Sequence, residues 1–116
     1  MMLVDRLAKA LEAAKPQSQR MFSGVGFMLR GNLAIGTTKQ GLIVRVGADN
    51  EKRATALPGA TVMVMRGRKM PGWIIVAQAG CRSDSQLHNW VEMALAFNKI
   101  LPAKSSKAAA ARSKKK

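Results

Sequence analysis

Three short apolar runs separated by glycine-containing junctions constrain this chain more than any other feature. The runs occupy residues 25–29, 33–35 and 42–46. The first junction contains Gly31-Asn32, and the second contains Gln40-Gly41. Because tight hairpin turns need residues that accept a positive φ, these junctions predict antiparallel strands joined by short turns. The sequence therefore predicts a three-stranded antiparallel meander.

Two further apolar runs extend the predicted sheet. Residues 61–65 and 73–77 are rich in valine and isoleucine, which are enriched in strands. Between them, residues 66–72 combine three cations with two glycines and a proline, which predicts a basic loop. We therefore expect a sheet of about five strands. The residues expected to be mostly buried are Leu29, Ile35, Val44, Val64, Ile75, Trp90 and Leu95.

Helical periodicity is found on both sides of these runs. Apolar residues recur every three or four positions across residues 3–14, and Pro16 is expected to end this helix near position 15. Residues 87–98 have the same spacing, and Asp84 or Ser85 is the expected N-cap. One or two helical turns are also expected within residues 49–57. These patterns predict helices at both ends of the sheet.

Composition divides the chain into a domain and a tail. Residues 1–102 are predicted to form a single α+β domain, with 14 Lys and Arg against 6 Asp and Glu, or +8 of the total +14. Residues 103–116 contain only Ala, Ser, Lys and Arg, so they have no apolar residue larger than alanine. We expect this segment to be a disordered basic tail. Its cations are Lys104, Lys107, Arg112, Lys114, Lys115 and Lys116.

Residues that could form a catalytic or metal site are scarce. The chain has one His, one Cys, no Tyr and six acidic residues. His88 and Glu92 are four positions apart and could meet on one helix face, but neither a nucleophile nor further metal ligands accompany them. Cys81 is expected to be a small, semi-buried turn residue rather than a reactive thiol. We therefore predict no enzymatic activity, no cofactor and no metal.

The N-terminal segment and the apolar runs indicate where in the cell the protein is expected. Residues 1–15 carry five charged side chains, so they lack the apolar region of a secretory signal. The apolar run at residues 73–77 is far shorter than the ~20 residues that a membrane helix needs. A lone cysteine is typical of a reducing compartment. We expect a cytoplasmic protein without a membrane partner.

The distribution of cations favours an anionic partner. Arg66, Arg68 and Lys69 precede Trp73, and cations beside an exposed indole can contact phosphates and bases, or an acidic protein. The alternative for this segment is a solvated loop with Trp73 in the core. The tail predicts non-specific nucleic-acid binding, with a solubilising role as its alternative. We therefore predict a non-enzymatic nucleic-acid-binding module, the alternative being a module that binds a regulatory protein partner.

Five segments together resemble the TfoX N-terminal domain family. They are residues 21–32, 41–47, 58–60, 67–73 and 90–102, and their order and spacing span residues 15–104. Ser23 stands where this family typically has glycine, and Lys69 where it typically has proline. The residues that carry the resemblance are Met21, Phe22, Gly24, Gly26, Gly31, Asn32, Arg45, Gly67, Arg68, Met70, Gly72 and Trp73.

The resemblance implies a bacterial α+β domain with a regulatory role. The family is named for the TfoX/Sxy regulators of natural competence, in which a separate C-terminal domain follows. Only 14 residues follow position 102 here, so we expect a stand-alone domain. The resemblance therefore implies a non-enzymatic regulatory or binding module, and the competence role of the two-domain members does not carry over directly. A part in transcription or competence regulation belongs to the alternative, a module that binds another protein.

Overall fold

Six antiparallel strands, rather than five, form the sheet in the computed structural model, which describes residues 3–21, 24–39 and 41–101. Their order across the sheet is β1-β2-β3-β4-β6-β5. The strands are β1 (Gln17–Met21), β2 (Gly24–Leu29), β3 (Asn32–Thr37), β4 (Gly41–Arg45), β5 (Ala60–Met65) and β6 (Arg68–Ala77). The predicted single α+β domain with an antiparallel meander is confirmed.

Within the described residues, three α-helices accompany the sheet: α1 (Leu3–Ala10), α2 (Glu51–Thr55) and α3 (Asp84–Ile100). Short 3-10 turns occupy Glu12–Ala14, Ala48–Asn50 and Gln78–Gly80. The first helix ends earlier than predicted, because the chain tightens into a 3-10 turn after Leu11. Lys15 then adopts a left-handed conformation (φ +53°) before Pro16, which cannot continue a helix.

The strand that the sequence analysis missed is β1. It lies at one edge of the sheet and pairs only with β2, with Gln19 opposite Gly26. Its first four residues are polar, so it lacks the apolar alternation by which strands are recognised. Polar composition suits an edge strand, because an apolar exposed edge promotes pairing with other chains.

Two of the hairpin turns consist of an arginine followed by a glycine. Arg30 and Gly31 have φ values of +55° and +80°, and Arg66 and Gly67 have +53° and +77°. Positive φ at both central residues is the mark of the type I′ turn, which matches the twist of antiparallel strands. The first turn is one residue from its predicted place, because Asn32 already begins β3.

The prediction of a basic loop over residues 66–72 is wrong. Only Arg66 and Gly67 form the turn, and β6 begins at Arg68. The predicted turn at Gln40-Gly41 is only partly covered, because Gln40 lies outside the described residues and Gly41 begins β4.

The core lies between the sheet and the helices α1 and α3. Ile35, Val44 and Ile74 are opposite one another on β3, β4 and β6, and each is fully buried. Leu7 of α1 and Trp90 of α3 belong to the same cluster. The predicted burial of Ile35, Val44 and Trp90 is therefore confirmed.

The prediction that Val64 is buried is wrong, because this side chain is 58% exposed. It lies on β5 at the other edge of the sheet, where the pairing with β6 shifts between Val62 and Val64. Such a shift changes which face a side chain occupies. The predictions for Leu29, Ile75 and Leu95 are only partly met, since each keeps part of its surface exposed.

The helix α3 begins with Ser83 as its N-cap, not with Asp84 or Ser85. The Gln86 amide donates to Ser83 Oγ at 3.1 Å, and the Ser83 amide donates to Gln86 Oε1 at 3.0 Å. This reciprocal pair is a capping box, which satisfies two amides that the helix itself leaves unpaired.

Replacing Ser83 by alanine is expected to lower the free energy of unfolding by about 1 kcal/mol, because the cap is lost. The matched control is Ser85→Ala, since Ser85 is exposed in the same helical turn and has no cap function. Its effect is expected to stay within about 0.5 kcal/mol. Urea unfolding measures both variants, and equal losses would contradict the role assigned to the capping box.

Candidate nucleic-acid interface

Strand directions place the two arginine–glycine turns at the same end of the sheet. The turn at Arg30 and Gly31 precedes β3, and β4 runs back to this end at Arg45. Because β6 is antiparallel to β4, it starts at this same end, directly after the turn at Arg66 and Gly67. We call this end of the sheet, with its two arginine–glycine turns, the turn end.

The C-terminus of α3 is also attached to the turn end. Arg30 Nη1 donates to the carbonyl oxygens of Asn98, at 3.0 Å, and Lys99, at 2.9 Å. The Asn98 side chain is buried and donates from Nδ2 to the Leu29 carbonyl at 3.1 Å. A cation at the last carbonyls of a helix complements its dipole. The described chain therefore ends, at Leu101, beside the first turn.

The cations predicted to bind an anionic partner, in and directly after the second turn, are all at the surface. Arg66, Arg68 and Lys69 are exposed, and none of them has a carboxylate within 4.0 Å among the described residues. Of the 14 Lys and Arg residues in the described part of the chain, only Arg6 has such a partner. That partner, Asp84, lies 3.1 Å away at the opposite end of the sheet. The turn end therefore presents cations without counter-charges.

Trp73 is neither a freely exposed indole nor a core residue. It is half-buried and lies opposite Arg45 on the neighbouring strand. The Arg45 guanidinium carbon lies 5.0 Å from the centre of the Trp73 ring and 5.5 Å from that of Phe97. Both distances are within the range of cation–π attraction. We call Arg45, Trp73 and Phe97 the arginine–aromatic cluster.

Glycines allow the segments around this cluster to approach closely. Gly72 has a φ of +81°, and a Cβ there would lie 2.7 Å from backbone atoms of Gly47 and Ala48. Gly47 has a φ of +89°, and a Cβ there would lie 2.5 Å from the Phe97 ring. The Gly72 carbonyl accepts bonds from Val46 and Gly47, and its amide donates to Glu51 Oε1 at 3.0 Å. The backbone beneath the cluster is therefore closely packed and hydrogen-bonded.

The Arg45 side chain has no hydrogen-bond acceptor or carboxylate partner among the described residues. Partial burial lowers the pKa of Arg45, although an arginine side chain keeps its charge in proteins. Every fully buried polar side-chain atom in the described part of the chain has a partner. The unpartnered nitrogens of Arg45 are therefore reached by solvent.

The two candidate reactive side chains are an exposed histidine and a buried cysteine. His88 Nε2 lies 3.9 Å from Glu92 Oε1, and both side chains are mostly exposed, as predicted for a surface pair. Cys81 is buried, and this burial raises the pKa of its thiol against a smaller opposing effect of Arg6. Within residues 3–21, 24–39 and 41–101, no three His, Cys, Asp or Glu side chains are grouped to hold a metal.

The sequence matches the family model of the TfoX N-terminal domain over residues 8–98. The chain belongs to the TfoX N-terminal domain family. Comparison with curated proteins and with solved structures gave no match. The TfoX N-terminal domain is not a known enzyme family, and membership supports a regulatory, competence-related module in general terms. No helix among the described residues has the length and apolarity to cross a membrane.

Seven of the twelve TfoX motif residues fall into three groups in the structure. Arg45, Gly72 and Trp73 belong to the arginine–aromatic cluster or support it, and Gly31 and Gly67 form the turns. Gly24 is a packing residue of β2, because a Cβ there would clash with the Thr37 backbone of β3, and Gly26 lies opposite Gly36 on the same two strands. The predicted site residues outside the described part are Phe22, the Met21 side chain, Lys104, Lys107, Arg112, Lys114, Lys115 and Lys116.

Proposed function

We propose that this TfoX N-terminal domain is a non-enzymatic regulatory module that binds nucleic acid through the phosphates. The surface involved is the turn end, together with the six cations of residues 103–116. One observation carries the proposal: Arg66, Arg68 and Lys69 are exposed without counter-charges at the end of the sheet where α3 also ends.

Charge accounts for both the affinity and the lack of sequence preference. The described residues contain 14 basic and 6 acidic side chains, and the remaining six cations all follow Leu101. Cations that neutralise phosphates release condensed counterions, which drives binding without reading the bases. Contacts to phosphates position a protein on nucleic acid but carry no sequence information directly. The expected binding is therefore weak, salt-dependent and independent of sequence.

Deleting residues 103–116 is expected to remove most of the salt dependence of duplex DNA binding. If about five phosphates are contacted in the full chain, log affinity should fall against log salt with a slope of about −4 to −5. Changing Arg66, Arg68 and Lys69 to Gln should reduce the steepness of this slope by about 1 to 2, as one or two phosphate contacts are lost. Fluorescence anisotropy at several salt concentrations measures both effects.

A matched control removes the same charge at the other end of the sheet. Arg20, Lys39 and Arg82 are exposed, have no carboxylate partner among the described residues, and lie near or beyond the opposite strand ends. Changing these three to Gln should alter the slope less than the turn-end variant does. Equal slopes for full-length and truncated protein would refute the role of residues 103–116. Equal losses in the two triple variants would refute the turn end.

Protein binding is the second candidate function, and the observation favouring it is the exposed Val64. This side chain is 58% exposed on β5, whose outer edge pairs with no other strand of the described residues. An extended segment of another protein can pair with such an edge. A partner that is retained after nuclease treatment and lost in Val64→Lys would support this candidate over nucleic-acid binding.

A further inference from the structure

The guanidinium of Arg45 is partly desolvated, and no carboxylate of the described residues neutralises its charge. We propose that the arginine–aromatic cluster of Arg45, Trp73 and Phe97 is a binding site for a phosphate group. This site lies at the turn end but uses none of Arg66, Arg68 and Lys69, so it can bind phosphate even where the proposed nucleic-acid binding fails.

The aromatic rings hold the guanidinium without using its hydrogen-bonding capacity. A cation over a ring face is attracted to the π electrons, while its N–H groups lie in the guanidinium plane. The Arg45 nitrogens have no protein acceptor among the described residues and are reached by solvent. A guanidinium offers five N–H donors in a fork that fits two oxygens of one anion. The cluster therefore presents an oriented pair of donors.

The surroundings of Arg45 are ordered before any ligand arrives. Val46 and Gly47 both donate to the Gly72 carbonyl, next to Trp73, at 2.9 and 3.2 Å. Gly47 also lets the Phe97 ring approach the end of β4. A group that is already positioned loses little conformational entropy on binding, which favours affinity. Partial burial of the charge strengthens its attraction to an anion relative to a fully exposed arginine.

The nearby carboxylate does not occupy the site. Glu51 accepts a bond from the Gly72 amide at 3.0 Å, and no carboxylate of a described residue lies within 4.0 Å of Arg45. The described residues carry a net charge of +8, since 14 basic side chains face 6 acidic ones. A positive field favours a phosphate monoester, which carries about −1.5 to −2 charges at neutral pH, over a singly charged carboxylate. The ligand chemistry is therefore a phosphate group, with a monoester favoured over the singly charged phosphodiester of a nucleic-acid backbone.

Titration of the full chain with inorganic phosphate tests the site, with the indole N–H signals of Trp73 and Trp90 followed by NMR. Phosphate should shift the Trp73 signal saturably, whereas sodium chloride at the same ionic strength should not. Arg45→Met should weaken phosphate binding at least tenfold, and Arg45→Lys should weaken it less, because the charge is kept but the fork is lost. The Trp90 indole is buried and bonded to Gly80, so its unchanged signal shows that each variant is folded.

The matched control is Arg20→Met, which removes an exposed arginine on β1 and should bind phosphate as the unchanged protein does. Equal binding by Arg45→Met and Arg20→Met would overturn the proposal, as would acetate binding as tightly as phosphate. Titrations with a phosphate monoester and with a short oligonucleotide distinguish a small-molecule phosphate from a nucleic-acid backbone as the ligand. Arg45-dependent binding of either supports the site, and Arg45-independent binding of both overturns it. The triple Gln variant of the β5–β6 turn should keep phosphate binding even if it loses DNA.

Discussion

Replacing Trp90 by alanine is expected to lower the free energy of unfolding by about 3 to 5 kcal/mol, the usual range for a large core aromatic. The Trp90 side chain is only 2% exposed and lies within the cluster that joins α1, α3 and the sheet. Its indole Nε1 also donates to the Gly80 carbonyl at 3.0 Å. The substitution therefore leaves a cavity and removes the hydrogen bond of a buried carbonyl acceptor.

Trp90→Phe separates these two contributions, because it keeps most of the apolar contact but lacks the N–H donor. Its expected cost is about 1 to 3 kcal/mol, the range for leaving a buried polar group unpaired. Urea unfolding monitored by circular dichroism measures both variants without depending on the tryptophan signal. A loss below about 1 kcal/mol for Trp90→Ala would contradict a central packing role for this residue.

Gly72→Ala is expected to have the second large effect on stability, and Gly67→Ala is its matched control. The two glycines have nearly equal φ values, +81° and +77°, so alanine is strained at both positions by about 1 to 2 kcal/mol. A Cβ on Gly67 would meet no atom within 4 Å. A Cβ on Gly72 would lie 2.7 Å from the backbone of Gly47 and Ala48, which adds an overpacking cost of about 1 to 3 kcal/mol.

The difference between the two variants thus reports the close approach of the two backbone segments. In thermal and urea unfolding, Gly72→Ala should be less stable than Gly67→Ala, and the difference in free energy of unfolding should equal the overpacking cost of about 1 to 3 kcal/mol. Gly72→Ala should also weaken phosphate binding at Arg45, whereas Gly67→Ala should not. Equal stabilities of the two variants would contradict this prediction. They would show that a small backbone shift makes room for the Cβ at position 72 beside residues 47–48.

The parts of the fold that could be predicted are those with strong local signals. The central strands β2, β3 and β4 consist mainly of apolar residues bounded by turn residues, and α3 has a clear helical period. Edge elements were predicted less well. The polar strand β1 has no apolar pattern, and Val64 on β5 was assigned to the core because its sequence alone does not reveal a register shift.

The candidate site could be predicted only in part. The exposure of Arg66, Arg68 and Lys69 follows from their charge. Trp73 is a candidate from the sequence because it closely follows these cations. Nothing in the sequence pattern marks Phe97 or Gly47 as part of the site. The pairing of Arg45 with Trp73 depends on β6 lying beside β4, a contact between residues 28 positions apart. No short-range sequence pattern predicts that β4 and β6 are adjacent in the sheet. The reason for a glycine at position 47, two residues after Arg45, becomes clear only when the position of the Phe97 ring is known.

The hydrogen bonds from Arg30 and Asn98 have a consequence for the six cations that follow α3. They attach the last turn of this helix to the sheet, so Leu101 has a defined position beside the first turn. Fifteen residues follow it, and a chain of that length spans at most about 50 Å from its attachment point. In the proposed function, a nucleic acid bound at the turn end would meet the six following cations at an effective concentration on the order of millimolar. The two weak contacts would then act together as one stronger contact, and this gain would be lost if they were placed on different molecules.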